Sequence, residues 1–469
     1  MSATNTVQKI WNLCNVLRGD GISYNEYISE LTYLLFLKIA KENSSEKLLP
    51  DGYHWDDLAF YNGENLLGWY QEMLTHIGNK TKDENVKQIY AFPTTVFNHS
   101  ENLKVVIDGI DKIDWHTLSQ DGIGDIYEGL LSKNSEDSRS GAGQYFTPRP
   151  LVDSIIKVMK PCLGEKIQDP ASGTGGFLIS ADKYVRDNCS IKAYKKAPPH
   201  YEGMEIEKGT FRLCLMNSFL HGMETRMILG DALTVDAKGL KKADLIIANP
   251  PFGSKSGSVR NKRKDILFPS SNKQLDFLQH IYNGLKKGGR AAVVLPDNVL
   301  FEGNVGKKIR EDLMHKCNLH TILRLPTGIF YAQGVKTNVL FFSKGDKSTD
   351  QTQNTWVYDM RTNIPRFGKI TPLNFAHFKD FIKAYGDDPH GGAPRIDQGE
   401  EDRFRCFSRE YIRERDDNLN ICWLNNESAG SVDNLPEPDE LAVAAIAELE
   451  GAVVNLNSIL ELLSVEEAK

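Results

Sequence analysis

Over the first third of the chain the apolar residues fall at helical spacing. Val7, Ile10, Trp11 and Cys14 recur three or four apart, and 27–40 is a denser apolar run preceded by Ser23, a residue suited to an N-cap. Residues 1–135 therefore read as an N-terminal helical domain. A polar stretch over 134–143, rich in Ser and Gly, reads as a flexible hinge. Beyond it the period changes. Apolar runs of strand length end at Asp169, at Glu205, before Asp231 and at Ala248, and further runs lie over 291–296, 319–325 and 339–342. A helical stretch over 275–285 ends in Lys286-Lys287-Gly288-Gly289, which has the form of a helix stop. Repeated strand–helix units predict an α/β domain over 136–345, with a mostly parallel sheet covered on both faces. Its ligand sites should sit at the carboxyl ends of the strands.

The segment 346–435 is polar, with many Asp, Gly and Pro, and reads as an irregular extension. From 436 to 469 the pattern is helical again. Ala442, Ile446, Leu449, Val453, Leu456, Leu460 and Leu463 alternate spacings of four and three, a heptad seam. Such a short seam, interrupted by Gly451, is marginal alone, so a partner helix is expected; packing onto its own domain is the alternative.

Composition is that of an ordinary globular protein: 469 residues, 40% hydrophobic and 25% charged. No apolar run is long enough to span a bilayer, and the N-terminus lacks the order of a secretory signal, so the cytoplasm is the expected location. The seven cysteines are scattered with no C-x-x-C pair, which argues against a zinc site or a disulfide framework. No metal is expected.

Candidate chemistry starts at Asn249-Pro250-Pro251-Phe252, where an apolar run stops. An Asn side-chain oxygen and the next carbonyl, that of Pro250, can each accept one hydrogen bond from an exocyclic amine such as adenine N6. Together they would aim the nitrogen lone pair at an electrophilic methyl. Pro250 and Pro251 fix the backbone and cannot continue a ladder, and Phe252 offers a flat surface to an extruded base. A strand that merely ends in a rigid turn is the bland alternative.

Upstream, Asp169-Pro170-Ala171-Ser172-Gly173-Thr174-Gly175 reads as a strand end, a glycine-rich turn and a helix start. No Gly-Lys-Ser/Thr follows, and the spacing departs from G-x-G-x-x-G. A glycine turn without a phosphate grip but with an acid before it suits a nucleoside with an amino-acid tail, Asp169 holding the ammonium of S-adenosylmethionine. Glu205, at the next strand end, is placed for ribose hydroxyls, and Asp231 for the adenine amine. Either acid is also compatible with a solvated surface group.

The two motifs, in this order, resemble those of amino-methylating DNA methyltransferases. Gln144-Tyr145-Phe146-Thr147-Pro148-Arg149 resembles the cofactor-binding segment of the modification subunit of type I restriction–modification systems. That resemblance implies a Rossmann-like S-adenosylmethionine-dependent fold and methylation of adenine N6 in DNA. It makes Gln144, Tyr145, Phe146, Thr147, Pro148 and Arg149 cofactor contacts. It also implies a separate specificity subunit that reads the DNA, with two modification subunits to each, and a restriction subunit in the full complex. Met216-Asn217 through His221-Gly222 is similar to a further feature of that family. The likeness runs from about Val7 onward and is most specific between Gln144 and Phe252.

A net charge of −7 is unusual for a free-standing DNA binder, which normally carries a basic excess. The basic residues Lys255, Arg260, Lys262, Arg263 and Lys264 are concentrated just after Phe252, among Gly and Ser. They read as a loop that grips phosphates near the flipped base, or else as a solvated surface loop. Two rival functions stay open on the residues: methylation of another planar amine, in a protein glutamine or an RNA base, and an inactive methyltransferase-like scaffold.

Overall fold

The computed structural model describes residues 3–18, 22, 24–115, 120–137, 147–253, 263, 265–330, 335–346, 350–368 and 371–424. Ser23, Gln144, Tyr145, Phe146, Lys255, Arg260, Lys262, Lys264 and the heptad segment from Pro436 lie outside the described residues. Nine strands occur among those described: β1 Lys166–Asp169, β2 His200–Glu205, β3 Thr225–Leu229, β4 Ala243–Ala248, β5 Leu285–Pro296, β6 Cys317–Arg324, β7 Thr337–Lys344, β8 Asn354–Asp359 and β9 Phe404–Ser408. The chain divides into two compact units, Met1–Phe146 with Ser172–Lys183 and His200–Gly230, and Thr147–Ala171 with Tyr184–Pro199 and Asp231–Lys469.

The first unit carries the helices Ala3–Arg18, Tyr24–Glu42, Leu66–Lys80, Ser100–Asp111 and Gln120–Asp137. Val7, Ile10, Trp11 and Cys14 are all buried, as their spacing predicts. The helix Tyr24–Glu42 is buried nearly all round, as a helix at the centre of a bundle must be. It encloses one acid. Glu30 accepts from the Tyr70 hydroxyl at 2.6 Å and the Val96 N–H at 2.8 Å, and burial pushes its carboxyl up to about 7. The expected hinge over 134–143 begins inside the helix Gln120–Asp137; residues 138–143 lie outside the described ones.

The helix Lys208–Leu220 also belongs to this unit. Phe219 lies 4.6 Å from the ring of Phe36, and the Arg212 guanidinium sits 5.0 Å over Tyr33 and donates to the Ala91 carbonyl at 3.1 Å. Strand–helix alternation assigns this segment to the catalytic region, whereas packing joins it to the N-terminal helices. β2 and β3 pair in parallel beside it, Glu205 opposite Leu229.

In the second unit β1 and β4 pair in parallel, as do β4 and β5. β7 then runs antiparallel between β5 and β6, β6 is parallel to β8, and β9 is antiparallel to β8. The α/β class is as expected, but the sheet is mixed. Among the described residues no helix joins β6 to β7, as suits antiparallel neighbours. Ala243, Leu245, Ile246, Ile247 and Ala248 are all buried, so both faces of β4 are covered.

Two local expectations differ from the structure. Lys286-Lys287-Gly288-Gly289 is not a helix stop. The helix Lys273–Gly284 ends before it, and the segment opens β5, bulged against β4 between Ala243 and Leu245 and exposed at Lys286, Lys287 and Gly288. The extension after 346 is not irregular throughout, because β8 and β9 lengthen the row of strands and the helix Lys379–Tyr385 buries Phe381 and Tyr385. Polar loops held in left-handed turns at Asp350, Asn363, Asp416 and Asp417 dilute the apolar signal of these short strands. Among the described residues no helix is long and apolar enough to cross a membrane.

Candidate active site

In the first unit the glycine turn is built from backbone. Gly173 and Gly175 hold φ of 53° and 84°, a region that favours glycine. A Cβ at Gly175 would meet the Cys214 sulfur at 2.9 Å. Ser172 N–H donates to the Met204 carbonyl at 3.0 Å, and Gly175 N–H to the Ser172 carbonyl at 2.8 Å. Glu205 is the hub of this turn. Its Oε2 accepts from Gly173 N–H at 2.9 Å, and its Oε1 from the Ile206 and Glu207 N–H groups, each at 2.9 Å. Burial raises its carboxyl above the ordinary range, and the three N–H donors oppose the rise. A carboxylate offers about four lone-pair sites, so Oε2 retains one. Asn217 donates from Nδ2 to the Thr174 carbonyl at 3.0 Å and steadies the far side of the turn.

In the second unit Asp169 ends β1 and Asn249 follows β4, so both stand at the carboxyl edge of two paired parallel strands. Asp169 is buried, and its Oδ1 accepts from Ala171 N–H at 3.0 Å. Asp231 shapes a turn, its Oδ1 accepting from Leu233 N–H at 2.9 Å. Pro148 precedes the helix Arg149–Met159, and Arg149 lies 3.7 Å from Asp153 one turn on.

The Asn249-Pro250-Pro251-Phe252 turn is braced by side chains. Asn249 Nδ2 donates to the Thr147 hydroxyl at 3.0 Å. Its Oδ1 is buried and meets no hydrogen-bond partner among the described residues. Gln274, itself buried, donates from Nε2 to the Pro251 carbonyl at 2.8 Å. The Phe252 ring meets Phe330 edge to face, 6.0 Å between centroids.

Arg263 differs from a phosphate-gripping residue. Its side chain is only 12% exposed. It donates to Asp265 at 2.9 Å and to the Ala232 carbonyl at 2.9 Å, with further bonds to Asp265 and to His280. Its fork is spent on the protein, which makes it an anchor for the end of the basic segment. Burial and this cation lower His280 to about 3 and keep it neutral. Among the described residues no cluster of acids, His and Cys could hold a metal.

Two family models match the chain: N-6 DNA Methylase over residues 118–429, and the HsdM N-terminal domain over 6–140. The chain belongs to the N-6 DNA methylase family. It is 44% identical over its whole length to the type I restriction enzyme EcoKI methylase subunit of Escherichia coli (strain K12), covering 97% of that protein. It is 45% identical, over 99% of its length and 96% of the relative's, to the StySPI methylase subunit of Salmonella potsdam. The crystal structure of the EcoKI M protein matches 98% of this chain and 96% of its own, with 41% identity and a TM-score of 0.57. A chain from a structure concerned with complex assembly and conformational transition of the type I R-M system matches at 26% identity and a TM-score of 0.75, over 97% of this chain and 98% of its own. This N-6 DNA methylase is thus a type I methylase subunit, and its reaction is methyl transfer to adenine N6 in DNA.

Sequence reasoning missed Gln274 and the pairing of Thr147 with Asn249. Gln274 carries one local signal, as Asn272 caps the helix through the N–H groups of Gln274 and Leu275. The cap fixes where that helix begins, yet nothing in it points to Pro251.

Proposed function

We propose that this N6-adenine methyltransferase takes its methyl group from S-adenosylmethionine and its target sequence from a separate specificity subunit. The observation that carries the assignment of roles is the buried, unpartnered Oδ1 of Asn249. It is an acceptor placed where one N6 hydrogen would arrive. The Pro250 carbonyl takes the second hydrogen, and Phe252 stacks on the extruded base. With both hydrogens held, the N6 lone pair is directed out of the ring plane. No strong base is required, because the nitrogen loses a proton readily once it is cationic.

The residues present fit the cofactor. Asp169 is the acid for the ammonium, Glu205 keeps one lone pair for a ribose hydroxyl, and Asp231 lies in the turn assigned to the adenine amine. Ser172, Gly173, Thr174 and Gly175 form a backbone cradle with no Cβ at either left-handed position. Gln144, Tyr145, Phe146, Pro148 and Arg149 complete the contacts by family resemblance, Thr147 being turned instead to Asn249. Bound there, S-adenosylmethionine supplies the electrophilic methyl group.

The reading extends to the assembly. Residues 1–135 dock against partners or cover DNA, 136–345 carry catalysis, and 346–435 extend the catalytic part. The heptad of 436–469 pairs with helices of the specificity subunit. Two copies of this chain serve each specificity subunit, a restriction subunit joins the full complex, and the assembly works in the cytoplasm. Lys255, Arg260, Lys262 and Lys264 neutralise phosphates near the flipped adenine, with Arg263 as their anchor. The net charge of −7 supports delegated recognition.

The test is methyl transfer from labelled S-adenosylmethionine to DNA, with products identified by nucleoside mass spectrometry. N6-methyladenine is expected when the chain is co-purified with its specificity partner and not from the chain alone. Robust activity without the partner would place sequence reading in this chain and overturn the division of labour.

A further inference from the structure

The side chain of Asn249 has two ends of equal size and opposite hydrogen-bonding sense. Only one orientation serves the reaction. With Oδ1 toward the substrate, the amide accepts from N6; turned over, it presents Nδ2 and sets donor against donor. Neither the backbone of Asn249 nor the two prolines after it chooses between these states, because both amide ends hang from the same carbon.

In the structure Nδ2 is the engaged end: Thr147 Oγ1, 102 residues away in sequence, stands 3.0 Å from it. Thr147 is half-buried and sits directly before Pro148, the cap of the helix Arg149–Met159. The proline ring bars its neighbour from the helical region. The helix behind it is fixed by the buried Leu151, Val152, Ile155 and Ile156. The hydroxyl is therefore presented from a rigid base. Its acceptance of Nδ2 leaves Oδ1 as the buried atom without a partner.

We propose that Thr147 is a positioning residue, whose hydroxyl holds the Asn249 amide by Nδ2 and leaves Oδ1 to the adenine amine. This rests on the N6 methyl-transfer reaction and gives Thr147 a role distinct from that of a cofactor contact. It also explains why a hydroxyl is placed at this point, since an apolar side chain of the same shape would leave Nδ2 without this acceptor.

The experiment uses the methyltransferase co-purified with its specificity partner, and compares Thr147→Val, Thr147→Ser and Asn249→Ala. Thr147→Val keeps the shape and removes the acceptor. Its single-turnover rate should fall roughly fivefold to tenfold, the worth of one lost hydrogen bond. Its dissociation constant for S-adenosylmethionine, measured by calorimetry, should stay within about twofold of wild type. Thr147→Ser should restore most of the rate. Thr147→Val added to Asn249→Ala should cost nothing more, because the group it acts through is gone. An undiminished rate in Thr147→Val, a Thr147→Ser variant as slow as Thr147→Val, or a further loss in the Asn249→Ala background would each overturn the proposal. So would weakened or absent cofactor binding by Thr147→Val, which would return the hydroxyl to the cofactor site. A wild-type control that makes no N6-methyladenine would instead refute the reaction itself.

Discussion

The glycine turn and the Asn-Pro-Pro-Phe turn, to which we assign opposite kinds of work, are held in opposite ways. Around Gly173 and Gly175 the surface we assign to the cofactor is backbone, and the bracing comes from Glu205 to N–H groups and from Asn217 to a carbonyl. At Asn249 the atom we propose to act is a side-chain oxygen. It is braced by other side chains, Thr147 on the amide and Gln274 on the Pro251 carbonyl, with one acceptor left over. A binding surface made of backbone needs shape, which glycine and one buried acid provide. A reacting surface made of a side chain needs orientation, which only neighbouring side chains can supply. Damage to the first should therefore appear in cofactor affinity, and damage to the second in rate.

The sharpest way to break this contrast is Asn249→Ala. Its methyl-transfer rate should drop by roughly a hundredfold to a thousandfold while cofactor affinity stays near wild type. A parallel loss of binding, read by calorimetry, would merge the two turns into one function. Glu205→Ala is the complementary test. It strips three backbone N–H groups of their acceptor, so the cofactor dissociation constant should rise roughly tenfold to a hundredfold. Asp169→Asn should move the same constant in the same direction. Unchanged affinity in both variants would remove the acids from the cofactor site.

Gln274→Ala sharpens the comparison from the catalytic side. Loss of its bond to the Pro251 carbonyl should lower the single-turnover rate about tenfold and leave the cofactor dissociation constant alone. An affinity change without a rate change would contradict the division.

The smallest effect concerns the anchor beyond Phe252. His280 is held at about 3, well below its ordinary value, by burial and by Arg263. Its unfolded form takes up a proton near pH 6.5, so between pH 6.5 and 3 the unfolded state binds more protons. The stabilisation is full above about 6.5 and is lost as pH falls toward 3. Thermal melts between pH 7 and 5 should steepen in wild type relative to His280→Gln, and matching slopes would show that His280 is not the group responsible.

Much of this site is legible in the order of residues, because glycine turns and Asn-Pro-Pro-Phe encode backbone geometry in contiguous stretches. A left-handed turn at Gly173 or a rigid carbonyl at Pro250 is set by the residue itself and its immediate neighbours. The helical period of Val7, Ile10, Trp11 and Cys14 and the strand–helix alternation after the hinge were equally local, and so were readable. The burial of Asp169 and Glu205 was not legible, since an acid at a strand end is as compatible with a solvated surface.

Remote packing decided the rest. Thr147 meets Asn249, Gln274 meets Pro251, and Arg263 turns from solvent to Ala232 and Asp265, because a side chain's orientation depends on whatever the fold brings against it. β8 and β9 exist because a neighbouring strand supplies their hydrogen bonds, not because their own composition demands it. The helix Lys208–Leu220 joins the N-terminal helices through Phe219 and Arg212, contacts that no periodicity reveals. The sequence alone therefore determined the chemistry on offer, since short contiguous motifs carry their own conformational constraints. Only the tertiary structure decided what braces Asn249, since that is a hydroxyl more than a hundred residues away.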